Sequence, residues 1–182
     1  MPDIELAGSF IIGGMLLLSI LSLNADIMQT ATMNSLDTNA QLNVTSIVSI
    51  IEYDFRKMGY LVPSGTDAIT ALSDSTIAFL GDVDNDGNVD SVSYYLGPIS
   101  EPIETLNPND RYLYRKVNGT ANDVALGLRD WILTYYDISG SVTVTPANVR
   151  SIRISFWVQT IIPFDTSYGS ARWEGRFTPK NL

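Results

Sequence analysis

Cysteine and histidine are both absent from the 182 residues. Their absence removes thiol nucleophiles, disulfides, Cys/His zinc sites and imidazole bases, and with them much of hydrolase and redox chemistry. Basic residues are scarce too: 11 Lys and Arg stand against 20 Asp and Glu, a net charge of −9. A phosphate backbone is held by a basic patch that displaces counterions, so the balance argues against nucleic acid as a partner. The scarcity is greatest at the N-terminus, where Asp3, Glu5, Asp26, Asp37, Glu52 and Asp54 all precede the first base, Arg56. For catalysis, Glu101 and Glu104 flank Pro102 without a nucleophilic or glycine-rich companion and read as solvated. No enzyme is expected. What is present, 45% apolar and 17% charged residues, is the composition of a folded chain rather than an acidic disordered tail.

Residues 6–23 (LAGSFIIGGMLLLSILSL) carry no charge over 18 positions, the lower end of what spans a bilayer as a helix. A cleaved secretory signal needs a basic start, and residues 1–6 offer two acids instead. Membrane orientation is set by Lys or Arg beside the span; none is near, so a basic leader is expected to have preceded Met1 and been removed. Apolar positions then run Met33, Leu36, Ala40, Val44, Ile47, Ile51, Phe55, Met58 and Val62. Their mean spacing of about 3.6 is that of an amphipathic helix, and Gly59 and Pro63 supply its stop. One helix from the start to about residue 60 would be roughly 90 Å long. Its first half must therefore protrude, with Gly13 and Gly14 the places to bend or unwind.

Beyond Pro63 the period changes to two. Thr76–Gly81, 89–96, Arg111–Val117, 131–136 and 149–159 read as strands, and the Asp-Gly pair in GDVDNDGN favours a hairpin between the first two. The pattern predicts an α+β fold in which a long protruding N-terminal helix packs by its second half on an antiparallel sheet of four or five strands. Three segments follow: a membrane or filament-core helix (1–25), its amphipathic continuation (26–62) and a β-rich head (63–182).

This layout, with Ile4-Glu5-Leu6 at the start, resembles the type IV pilin and pseudopilin family. The resemblance implies that Met1 is the processed mature terminus and Glu5 the glutamate at mature position 5. It departs from the family's usual pattern in Met1, Pro2 and Asp3 and in lacking a proline in the apolar segment. Over the C-terminal two-thirds the chain is similar to minor pilins and J-type pseudopilins: Asp54-Phe55-Arg56-Lys57-Met58-Gly59 at the helix end, then Val92, Tyr94 and Tyr95, then Leu113, Tyr114 and Arg115. An ionised Glu5 beside an apolar run needs a cation; in a bundle of N-terminal helices that partner is expected to be the terminal ammonium of a neighbouring Met1. Small residues such as Ala7, Gly8, Gly13 and Gly14 permit close helix approach.

The sharpest local signal is Asp82-Val83-Asp84-Asn85-Asp86-Gly87-Asn88-Val89-Asp90. It fits nine positions of the D-x-D-x-D-G loop, in which alternate carboxylates and one backbone carbonyl wrap a hard cation. Asp82, Asp84, Asp86 and Asp90 are expected to ligate Ca2+ through side chains and Asn88 through its carbonyl. The twelfth position is Ser93 where the full loop has glutamate, so weak affinity is expected. Asn43 and Asn118 begin N-x-T sequons. The expected function is a structural subunit of an extracellular pilus-like filament, with copies of itself or other pilins as partners and the inner membrane as its site before assembly. The alternatives are a minor pseudopilin of a type II secretion pseudopilus and a monomeric membrane-anchored binding domain.

Overall fold

A single helix, α1 (Pro2–Lys57), runs for 56 residues, about 84 Å at 1.5 Å per residue. The computed structural model describes residues 2–101 and 105–182, and of residues 2–5 the backbone only. Gly13 and Gly14, predicted to bend or unwind the helix, stay within its regular helical run. Nothing packs on them to force a departure: a Cβ at either position meets no atom within 4 Å. The helix stops at Lys57, somewhat earlier than predicted. Gly59 takes up the left-handed conformation (φ 79°) that ends a helix without steric cost, and its N–H donates to Leu80 O at 2.8 Å.

Seven strands follow: β1 (Ile69–Leu72), β2 (Thr76–Gly81), β3 (Asp90–Leu96), β4 (Arg111–Val117), β5 (Thr120–Tyr136), β6 (Ser151–Gln159) and β7 (Ser170–Phe177). They form one sheet in chain order, each antiparallel to the next. The α+β architecture is the expected one, but the strand inventory is larger than four or five. The predicted 131–136 is only the end of β5, and β1 and β7 are additions to the predicted set. β1 has four residues and a register break between Ile69 and Ala71, too short to show alternation. The start of β5 (TAND) is exposed and carries no apolar alternation; it is a strand because β4 pairs with it, a tertiary effect that outweighs propensity. The predicted 89–96 and 149–159 begin instead at Asp90 and Ser151.

The core lies between the sheet and the second half of α1. Ala40, Val44, Ile47, Ile51, Phe55 and Met58 are buried, spaced as the apolar stripe requires. The Phe55 ring meets Phe79 of β2, Tyr94 of β3 and Phe177 of β7 edge-on at 5.5, 5.9 and 5.5 Å. One ring reaches both β2 and β7 only because the sheet curls around the end of the helix. The curl is closed by backbone and hydroxyl bonds from Leu133 N–H to Asp74 O (2.7 Å) and from the Tyr135 hydroxyl to Thr76 O (3.1 Å). Glycine admits the closest approaches: a Cβ on Gly169 would overlap Leu36 of α1, and one on Gly81 would run into the carbonyl of Lys57.

Beside Phe55, Asp54 is 1% exposed and carries the charge that the helix brings into this core. Arg115 meets it as a fork, Nε to Oδ2 at 2.6 Å and Nη2 to Oδ1 at 2.9 Å, while the Tyr94 hydroxyl donates to Oδ2 at 2.5 Å. Burial, followed by the adjacent Asp54 charge, raises the Tyr94 phenol well above its ordinary range, so it remains a donor. Asp54→Ala strands a partly buried guanidinium and is expected to cost about 3–5 kcal/mol of stability. Tyr94→Phe is expected to cost about 1 kcal/mol. Urea denaturation of the detergent-solubilised chain, followed by tryptophan fluorescence, measures both.

Candidate functional site

Two features are left unused by the core: the protruding part of α1 and the turn between β2 and β3. From Leu6 to Ala31 the helix lies free of the head; Phe10 is 74% and Leu18 68% exposed. The segment is long and apolar enough to cross a bilayer. Its hydroxyls suit such a medium, since the Ser19 hydroxyl donates to the Met15 carbonyl at 2.9 Å and so is not left unsatisfied among hydrocarbon. Thr30 and Thr32 bond back to Asp26 and Met28 in the same way. Met1 and the side chain of Glu5 lie outside the described residues.

The β2–β3 turn sits against the end of the helix. Asp82 N–H donates to Tyr60 O at 3.2 Å, and the Lys57 ammonium donates to Val83 O (2.8 Å), Asn85 Oδ1 (2.8 Å) and the Tyr53 hydroxyl (2.9 Å). Asn85 and Gly87 have φ of 63° and 88°, which folds the turn tightly enough to bring one oxygen each of Asp82, Asp84 and Asp86 within 4.8 Å of one another. Asp84 and Asp86 are exposed, whereas Asp82 is 2% exposed. Asp82 Oδ2 accepts the Gly87 N–H at 3.1 Å; its buried Oδ1 accepts no hydrogen bond among the described residues. Asp86 is held below the usual carboxylate range by the Asn88 side-chain amide and backbone N–H.

Asp90 is placed differently. Its Oδ2 accepts the Val83 N–H (3.0 Å) and its Oδ1 the Asn118 amide (2.6 Å), so it ties the base of the turn to the β4–β5 connection. Asn118, the start of one sequon, is exposed but has its amide nitrogen engaged by Asp90. Ser93, in the position of the missing glutamate, is a β3 ladder residue opposite Ala78 and Lys116. Glu101 is exposed, and Glu104 lies outside the described residues.

Sequence reasoning missed an arginine-aromatic layer on the outer face of β5–β7. Arg129 and Arg172 sandwich the Trp157 ring at 4.2 and 4.1 Å, and Arg176 and Arg153 lie over Tyr136 at 4.4 and 5.9 Å. Cross-strand register assembles it, with Trp157 opposite Arg172 and Arg153 opposite Arg176. The signals in the sequence are the alternation that puts Arg153 and Trp157 on one face of the predicted 149–159 strand, and that of Arg172, Glu174 and Arg176 in a strand outside the predicted set.

No protein-family model, curated protein or solved structure matches this chain.

A further acid lies inside the head, beside the start of β4. Asp110 is 1% exposed, and burial pushes its carboxyl up to about 6, against the lowering effect of the Thr105 hydroxyl. Between about pH 4 and 6 the folded chain therefore holds a proton that the unfolded chain, with an ordinary value of 3.8, has released. Stability contributed by this group falls as pH rises from about 4 through 6 and stays lost above. Asp110→Asn is expected to raise stability at pH 7.5 by up to about 3 kcal/mol and to have little effect near pH 3.5. Denaturation midpoints of the two proteins across that range provide the check.

Proposed function

We propose that this chain is a structural subunit of an extracellular type IV pilus-like filament, held by α1 in the inner membrane before assembly and by the same helix in the filament core afterwards. The observation that carries the reading is the continuity of α1. An anchor needs only a span and a tether, whereas here one regular helix passes from an apolar, uncontacted segment into the centre of the head. The position of every span is then set by the position of its head, which is what a helical assembly requires. Small residues with open space around them, Gly8, Gly13 and Gly14, leave room for neighbouring helices. Energy for assembly would come from helix packing, with Glu5 paired to the terminal ammonium of a neighbour's Met1 and setting register. Assembly rather than catalysis is the activity assigned.

Electron microscopy of the purified full-length protein tests the proposal. Long helical filaments are expected; isolated particles under assembly conditions would overturn it. Glu5→Ala is expected to reduce filament yield at least tenfold while circular dichroism of the head stays unchanged, and a normal yield would remove Glu5 from the account. A low copy number beside another, abundant subunit would point instead to a minor pseudopilin at the tip of such an assembly.

A further inference from the structure

We infer that the β2–β3 turn is a divalent-cation site formed by Asp82, Asp84 and Asp86, and that Asp90 is the latch of the turn rather than a ligand. The inference does not depend on filament assembly. Three carboxylates offer oxygens within 4.8 Å of one another, and no Lys or Arg forms an ion pair with any of them among the described residues. The Lys57 ammonium beside the turn is committed to Val83 O, Asn85 Oδ1 and Tyr53. The second observation is independent of the clustering. Asp82 is almost wholly buried, yet its Oδ1 has no hydrogen-bond partner among the described residues. A buried carboxylate oxygen without a donor is costly, and a metal ion bound in the turn satisfies it and screens the mutual repulsion of all three groups.

Hard oxygen donors in an irregular turn, with water completing the shell, suit Ca2+, which accepts varied coordination, better than Mg2+, which demands a near-ideal octahedron and dehydrates reluctantly. Among the described residues the carboxylates that cluster within 4.8 Å are those of Asp82, Asp84 and Asp86 and not Asp90, whose two oxygens instead accept from Val83 N–H and Asn118, and Ser93 is fixed in the β3 ladder. Three carboxylates without a bidentate glutamate place the affinity near the weak end of calcium loops, Kd about 0.1–1 mM. Because the turn is bonded to Tyr60 and Lys57, the ion would brace the β2–β3 hairpin against the end of α1.

Calorimetric titration and thermal unfolding of the full-length chain in detergent, with CaCl2 and separately MgCl2, provide the test. One Ca2+ per chain is expected, with Mg2+ binding at least tenfold more weakly and about 10 mM Ca2+ raising the unfolding midpoint by several degrees. Asp84→Asn is expected to weaken Ca2+ binding at least tenfold without lowering the calcium-free midpoint. Asp90→Asn is expected to lower the calcium-free midpoint and keep the calcium-induced rise. If that variant does not fold, Asn118→Gly, which removes the amide bonded to Asp90 together with the oxygen that accepts the Ser91 N–H and tolerates the positive φ, is expected to lower the calcium-free midpoint in the same direction and to keep the calcium-induced rise. Absence of both heat and midpoint shift in the unaltered chain at about 10 mM Ca2+ overturns the site. Loss of calcium binding in Asp90→Asn or Asn118→Gly with an unchanged calcium-free midpoint overturns the division of roles.

Discussion

Asp54 is the constraint around which the head is arranged. A carboxylate 1% exposed in the last turn of a helix is tolerable only with cationic and hydroxyl donors placed to meet it. Both come from one cross-strand pair, since Tyr94 of β3 lies opposite Arg115 of β4. A fork geometry permits little rotation of the helix about its axis and little sliding along it. With rotation fixed, Phe55 falls at the centre of the curl and the stripe from Ala40 to Met58 faces the sheet. The two glycine approaches, Gly81 under Lys57 and Gly169 against Leu36, then hold the helix at both ends of the head.

Rigidity at this junction gives the exposed half of α1 its significance. A helix so held transmits the orientation of the head along about 40 Å of uncontacted segment. The β2–β3 turn lies at the same junction, bonded to Lys57 and Tyr60. The acidic turn and the helix end are therefore mechanically one unit, although 26 residues separate Lys57 from Val83. The sequence fragments at the helix end, in the tyrosine strand and around Arg115 meet in the fold, because Asp54, Tyr94 and Arg115 are the members of the clamp.

Charge follows strand order. Residues 58–110 contain nine acids and no base, and residues 111–182 contain nine bases and five acids. Folding turns this linear asymmetry into a spatial one, with four exposed arginines on the outer face of β5–β7. Stacking on Trp157 and Tyr136 orders the guanidinium groups, while their edges meet Ser151 (from Arg176), Thr134 and Glu174 (from Arg153) and Asp130 (from Arg129). Arg153 and Arg176, directly opposite across the ladder, repel each other, so the face carries a local positive field on a chain that is acidic as a whole.

Periodicity alone settles the α+β class, the helix length to within a few residues, its buried stripe and the alternating strands that are half-buried. It can do so because it is a local property that survives any arrangement of the rest. Chain proximity also places Asp82, Asp84 and Asp86 together, because they lie in one short turn around Gly87. The count of seven strands emerges only on folding, since β1 is too short to alternate and the start of β5 is exposed, without apolar alternation. Pairing, too, is needed to see that Arg129, Trp157 and Arg172 form one layer, or that Asp54, Tyr94 and Arg115 form one clamp. Asp90 shows the distinction most directly: its spacing makes it a candidate ligand of the loop, and only folding brings the amide of Asn118, 28 residues away, to its Oδ1. Spacing along a chain fixes what neighbours can reach, and competition from distant donors is settled only when the chain is folded.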